Sequence, residues 1–547
     1  MTMQRCNTGF KRLPLALLIT GLCLSPLMVN AANVPAGVEL AQKQEVVRNN
    51  GSEPATLDLQ KAESSVESNI LGDLFVGLVS IDDNGNARPE LAESWETKDN
   101  KTWIFHLRPG LRWSDGSPIT AQDVVYSWRR LIDPKTVSPY ESYLGTVHVV
   151  NADSIIAGKM PADQLGVKAL DAQTVQVELT RPMSYFLQMI AHYSLFPVSQ
   201  ANVEKFGDKW TQPGNLVSSG PFKLNSWTVN ERVTAVRNDK YWDNAHTVLT
   251  QMTYLPIASG AADVNRYKAG EIDITLTIPE VQFASLKKEL GSQVHTNPYL
   301  GVYYYAFNNQ KPPFNDVRVR QALSLGLDRD IIANKVLGQG QTAAYTITPD
   351  NTGGYTFKPS AMAKQTQEQR NEEARKLLAE AGFGPQHPLK FNLLYNTSES
   401  HQHIAIAASS MWKKNLGVTA VLQNQEWKTM LDTMHQGNYD VVRYAWIADY
   451  NEPSTFLNTF RSDNSENTPK FSNAEYDKVL DDALAATSKD QVEKDYQKAE
   501  DILSSQAPIV PLYHYVSAKL VKPFIGGFDN HDPQGRVYAK DLYVIKH

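Results

Sequence analysis

The stretch DVVRYAWIADYNEPSTFLNTF, residues 440–460, decides how this chain is read. Val441, Val442, Tyr444, Trp446 and Ile447 make an apolar, β-prone run that predicts a buried strand ending in a turn. Asp449 follows that run, and a carboxylate there is costly to bury unless a donor or a cation meets it. Local reading leaves two roles open. Asp449 or Asn451 could cap a helix starting near Pro453, since Glu-Pro marks such starts, or Asp449 could face a ligand.

Working outward, the order helix 367–381, strand 391–395, helix 403–416, strand 418–423 and strand 439–446 predicts a βαβ-type unit. Its strand ends would place 396–401 and 446–450 on one edge, where ligands of open α/β sheets tend to sit. Further strands are expected at 102–107, 174–179, 232–237, 251–255 and 300–308. The helix at 367–381 closes on Gly382 and that at 403–416 on Gly417. Ser488 is the expected N-cap of a helix over 489–506, and 315–337 reads as one long helix with Gly326 as its weak point. No internal repeat is visible, which sets solenoids and propellers aside.

At 547 residues the chain is too long for one ordinary core, and several domains are expected. Arg5, Lys11 and Arg12 precede an apolar run from Leu13 to Met28, and small residues follow, so residues 1–31 read as a signal peptide cleaved near Ala31. The run is short for a membrane span. Both cysteines, Cys6 and Cys23, fall within this segment, and Leu22 before Cys23 argues against a lipid anchor. The exported chain then has no disulfide, thiol nucleophile or thiolate metal site. Removing residues 1–31 leaves 50 basic and 59 acidic side chains, a net charge of −9 that argues against nucleic acid or an anionic membrane as partner.

Several segments together resemble the periplasmic oligopeptide-binding proteins of ABC-type importers, solute-binding protein family 5. They are RNNGSEPATLD (48–58), DLFVGLV (73–79) and the most specific one, PELAESWETKDNKTWIFHLRPGLRWSDGSPITAQDVVYSWRR (89–130). YYYAFNNQKPPFNDVRVRQALS (303–324), LLYNTSESHQHIAIAASSMWKKNLGV (393–418) and NQEWKTMLDTMHQGNYDVVRYAWIADYNEP (424–453) follow. The resemblance implies an α/β fold of the periplasmic-binding-protein type II kind, two lobes on a two-strand hinge plus an extra domain. Domain I would comprise 32–75, 200–300 and 517–547, domain II 76–199, and domain III 301–516. The hinge strands would cross near 300 and 516, and the lobes would close on a ligand.

By the same resemblance the protein is no enzyme: it captures short peptides in the periplasm as a monomer and hands them to an inner-membrane permease, with no cofactor and no metal. Asp449 would meet the peptide ammonium. Trp427 and Trp446 would line side-chain pockets, though a Trp more often serves the core. Tyr140 would close over the ligand, and one of Tyr303, Tyr304 and Tyr305, taken here as Tyr304, would face the cleft. Glu63, Ser65 and neighbouring residues would pair with the ligand backbone, and Ala448 would flank the anchor. Arg443 and His401 would receive the ligand carboxylate. Strict alternation sends Arg443 and Trp446 to opposite faces, so a twist or bulge would be needed to bring both inward. His401 and His403 lack a carboxylate or thiolate partner at ligand spacing, which sets a metal reading aside.

Departures from the family pattern bear on ligand choice. Gly301 and Ile447 stand where many relatives carry a cysteine pair. Ala306 and Leu337 replace charged residues and resemble the branch that binds the murein tripeptide L-Ala-γ-D-Glu-meso-diaminopimelate, which is the alternative function. Met434 replaces an arginine common to both branches. No GxSxG, HExxH or Gly-rich phosphate loop supports catalysis.

Overall fold

Tyrosines and valines are the commonest residues of two long strands, Val294–Phe307 and Ile509–Leu520, which pair antiparallel from Val294 opposite Leu520 to Ala306 opposite Ile509. The computed structural model describes residues 34–82, 86–350, 352–486, 488–528 and 531–547. The expected signal peptide and both cysteines lie outside the described residues.

The strand pair links two bodies of structure. At its 294/520 end, Ala518 and Leu520 pack with Val264, Tyr267, Ile278 and Leu286. A bridge from Ile274 to Val521, and another from Ile274 to Arg48, tie this end to a four-stranded sheet. That sheet runs Glu45–Asn49, Gln251–Leu255, Arg232–Arg237, Phe222–Thr228, with the first pair parallel. At the other end the pair enters a six-stranded sheet in the order Thr342–Ala343, Ile509–Leu520, Val294–Phe307, Val441–Ile447, Lys390–Asn396, Thr419–Gln425. The register between the two long strands slips between Pro298 and Val302 and again between Tyr303 and Tyr304. Such irregularities loosen a ladder where a bend is useful.

A separate antiparallel sheet, in the order Ala92–Thr97, Thr102–Leu107, Thr174–Glu178, Val167–Ala169, carries the helix Ala121–Ile132 against it. Thr120 and Asp123 form a capping box at that helix's start, and Trp128 donates its indole N–H to the Leu195 carbonyl at 3.0 Å.

The six-stranded sheet matches the expected unit. Lys390–Asn396 runs parallel to both Thr419–Gln425 and Val441–Ile447, so their C-terminal ends share one edge. Helices Gln367–Glu380 and Glu399–Leu416 fall where expected, the second starting four residues earlier because Ser398 supplies its cap, and ending on Gly417 at φ 71°. Lys489–Gln506 is capped by Ser488. The strand expected at 300–308 begins six residues earlier, because 294–298 pairs with 516–520 despite Pro298.

The single helix expected over 315–337 does not form. Helix Val317–Leu325 stops at Gly326, followed by a short turn Arg329–Ile331 and a wide turn Ile332–Leu337. A side chain at Gly326 would come within 2.6 Å of Leu416, and Arg329 turns inward to donate to the carbonyls of Ser324 (3.0 Å) and Pro511 (2.8 Å). Tertiary packing overrides the local helical pattern here.

The segment that leads to Glu63 is pinned by a buried ion pair. Arg130 donates to both Asp58 oxygens, at 2.7 and 2.5 Å, and Trp210 donates to Oδ2 at 3.2 Å. Their side chains are only 12% and 6% exposed. Replacing Asp58 by Ala strands the guanidinium among buried groups, and should lower stability by about 3–5 kcal/mol. Urea unfolding of Asp58→Ala against the parent checks this; an unchanged midpoint contradicts it.

Candidate functional site

The strand Val441–Ile447 is paired fully on one side and barely on the other. Its antiparallel partners run from Gly301 opposite Ile447 to Phe307 opposite Val441, and the Ala448 N–H continues the ladder to the Leu300 carbonyl at 2.8 Å. Hydrogen-bonded pairs alternate along such a ladder, so the main chains of Val442, Tyr444 and Trp446 turn toward 301–307. Those of Arg443, Ala445 and Ile447 turn outward. On that outer side 390–396 meets Val441 and Val442, a bridge that also engages the Arg443 N–H, and Ala445 and Ile447 beyond it have no strand partner among the described residues. The strand therefore offers an open edge that ends at Asp449.

Asp449 sits just past this edge with its side chain 12% exposed. Its N–H donates to Thr455 Oγ1 at 2.9 Å, and Gln534 Nε2 donates to the carbonyls of Ala448 (2.7 Å) and Asp449 (2.9 Å). Tyr140 donates its hydroxyl to Oδ1 at 3.4 Å, and His192 Nε2 lies 3.4 Å from the same oxygen. Burial pushes the Asp449 carboxyl up to about 8, against the Tyr140 hydrogen bond that pulls it down. Burial also presses His192 down to about 3. The contact thus joins two neutral groups and is no ion pair. The capping role falls to Glu452 instead, which accepts the Ser454 N–H at 2.8 Å and the Tyr496 hydroxyl at 2.6 Å.

His192 Nδ1 also faces Ser194 Oγ at 2.8 Å, which places a serine, a histidine and a carboxylate in a row. Ser194 is fully buried, so no substrate carbonyl could reach it as a nucleophile relay requires.

A small cavity lies against Asp449, walled by Tyr140, Tyr143, Trp446, Tyr450 and Glu466 among others. Tyr140 and Trp446 approach to 6.5 Å between ring centroids, while Trp427 stacks on Tyr444 at 6.5 Å and 8°. Both tryptophans are largely buried, yet neither indole N–H has a partner among the described residues. Tyr304 lies on the same sheet face as Tyr444 and Trp446 but is wholly buried, edge-on to Tyr444 and Phe460. Glu63 is held near the cleft by His435 at 2.9 Å, and Ser65 is exposed in the first turn of helix Ser65–Leu74.

Arg443 and His401 form a second group on the opposite face. No bulge interrupts 441–447, so the alternation stands. Arg443 lies 4.6 Å over the Tyr303 ring and donates to Tyr515 Oη at 2.7 Å and Asn396 Oδ1 at 3.3 Å. His401 packs 5.6 Å from Tyr303, with its pKa driven well below the ordinary value by burial and by Arg443. His403 points away toward Glu280 at 4.0 Å. Arg443 Nε and His401 Nδ1 are buried without partners among the described residues.

Sequence reasoning missed His192, Glu466 and the outward main chain of Ala445 and Ile447. A lone buried histidine and a glutamate in a polar loop give no periodic signal, and edge availability is a property of strand order. Gly301 and Ile447 are direct partners, and Ile447 Cδ1 occupies the space a side chain at 301 would need, 2.5 Å away. Met434 packs in the apolar cluster with Trp427 and Met430, and Ala306 and Leu337 lie in different clusters.

Residues 86–468 match the family model described as bacterial extracellular solute-binding proteins, family 5 Middle. The chain is 54% identical over 542 residues to the periplasmic oligopeptide-binding protein OppA of Salmonella typhimurium, covering 99% of this chain and all of that protein. The structure aligns with that of the Escherichia coli murein tripeptide binding protein MppA at a TM-score of 0.92 and 48% identity, covering 93% of this chain and 100% of the other. Against MppA in its unliganded open form the TM-score falls to 0.65 at the same identity, covering 94% and 99%. The chain belongs to the family 5 extracellular solute-binding proteins and has their α/β, type II-like fold, in an arrangement unlike the open one.

An opening of this arrangement would be coupled to pH. An opening that let water reach Asp449 would return the carboxyl to its ordinary range, whereas burial in the described arrangement holds it up to about 8. A carboxyl pKa raised by closure favours the closed empty form fully below the ordinary value, and the benefit is lost as pH rises through about 8. His192 stays neutral across this window, and Glu466, also raised by burial, acts in the same direction. Small-angle scattering of the empty protein should give a smaller radius of gyration near pH 5 than near pH 9, with a weaker difference in Asp449→Asn. A radius indifferent to pH contradicts this.

Proposed function

We propose that the protein captures short peptides in the periplasm and delivers them to an inner-membrane ABC permease, acting as a monomer with no chemistry of its own. The observation that carries this reading is the open strand edge ending at a buried, cation-less carboxylate. A peptide laid along that edge can pair its amides with the main chain of Ala445 and Ile447, while its ammonium meets Asp449. Both bonds engage parts that all peptides share, so side-chain sequence is left loosely specified.

A ligand on the edge of a strand meets both faces of it. Trp446, Trp427 and Tyr140 flank one side, and Arg443 with His401 flanks the other, so no twist is needed for both groups to serve one ligand. Arg443 and His401 then receive the peptide carboxylate, directly or through water. Ala448 takes part only as the anchor's neighbour, because its N–H and C=O are already bonded. Glu63, Ser65 and their neighbours border the slot, and Tyr304 supports Tyr444 from below.

In this reading the chain folds as domain I (32–75, 200–300, 517–547), domain II (76–199) and domain III (301–516), hinged on the slipped register of the two long strands. Tyr140 and His192 come from domain II, so closure itself removes water from Asp449. Domain II also ties to domain III through Ser142 and Ser465, 2.8 Å apart.

The murein tripeptide is the second reading, favoured by the likeness to MppA and by the uncharged Ala306 and Leu337. Both readings use the same amine anchor. Native mass spectrometry of gently purified protein separates them: mixed short peptides support the first, a single diaminopimelate-containing mass the second.

Calorimetry tests the anchor. Asp449→Ala should weaken free-amine tripeptides by roughly 100-fold or more, the range of a buried charge pair, and leave N-acetylated ones nearly unchanged. Retained tight binding of a free-amine peptide contradicts the assignment.

A further inference from the structure

Glu466 is a second carboxylate in the wall of the Asp449 cavity, and the amine-anchor reading does not use it. It lies in the 464–468 turn, where its N–H donates to Asn464 Oδ1 at 2.8 Å, and it lines the cavity together with Tyr140, Trp446 and Asp449. Part of the residue reaches the surface, but Oε1 is sealed from solvent and has no hydrogen-bond partner among the described residues. Burial, together with the nearby carboxylates of Glu63 and Asp449, pushes its pKa well above the ordinary range, with Lys470 opposing only weakly.

The three carboxylates have different fates. Glu63 is matched by His435. A peptide ammonium would match Asp449. Glu466, when ionised, would keep its sealed Oε1 without a partner, a costly state unless a second cation arrives. The surrounding walls suit one. Tyr140, Tyr143, Trp446 and Tyr450 are aromatic surfaces on which a methylene stem packs and a positive head is attracted.

We propose that Glu466 makes this chamber a subsite for a second positive charge, so that the favoured ligand is a peptide whose first residue carries a cationic side chain. The inference rests on the peptide reading above and specifies its ligand class. Glu466 acts as a specificity-determining residue, and Asp449 keeps the α-ammonium common to all ligands.

Calorimetry of the mature protein near neutral pH tests this with three tripeptides, Lys-Ala-Ala, norleucyl-Ala-Ala and Ala-Ala-Ala. Norleucine keeps the stem of lysine and removes only the charge. The parent should bind the lysine peptide ~10-fold or more tightly than the norleucine peptide, as expected for one partly buried charge pair. Glu466→Gln should abolish that preference by weakening the lysine peptide alone, and its unchanged norleucine affinity shows that the fold is intact. Equal binding of lysine and norleucine peptides by the parent, or an equal loss of both in Glu466→Gln, overturns the subsite while the peptide reading stands. Failure of all three to bind overturns both.

Discussion

The structure turns on a carboxyl group that is taken out of water with no cation beside it among the described residues. Asp449 has a tyrosine hydroxyl and a neutral histidine within 3.4 Å, and burial raises its pKa to about 8. A buried carboxylate of this kind is unfavourable alone and, in the proposed binding mode, is matched by the peptide ammonium. Binding energy is therefore concentrated on the difference between empty and loaded states, which is what a protein that closes around its cargo requires.

The second constraint is strand order. The 441–447 strand lies inside a six-stranded sheet, yet its outer neighbour leaves after Val442. An interior position makes the strand rigid, and the early departure leaves an edge free. In the proposed binding mode a peptide completes the sheet there. The two faces of the strand then divide the labour. One offers buried aromatics and two carboxylates; the other offers Arg443, lying over Tyr303 and bonded to Tyr515. Charge polarity along the slot thus runs from acidic to basic, the reverse of a zwitterionic peptide.

Much of this was legible in the sequence. The run from Val441 to Ile447 and the glycine-closed helices before it announce a parallel α/β unit, because period and caps agree there. Asp449 was singled out by being a charge directly after an apolar strand. The helix over 315–337 was misjudged because Gly326 lies against Leu416 and Arg329 folds inward, which no local pattern reveals. Arg443 and Trp446 lie on opposite faces as alternation predicts, and only the proposed edge-binding mode lets one ligand meet both. Glu466 was invisible, since only the fold brings the 464–468 turn beside Asp449.

The most direct measurement is a crystal structure of the protein with a bound free-amine tripeptide. The account predicts the α-ammonium within hydrogen-bond distance of the Asp449 carboxylate, with the peptide main chain bonded to Ala445 and Ile447 as an added strand. A ligand whose ammonium lies away from Asp449, or whose backbone leaves the 443–447 edge unpaired, would contradict it.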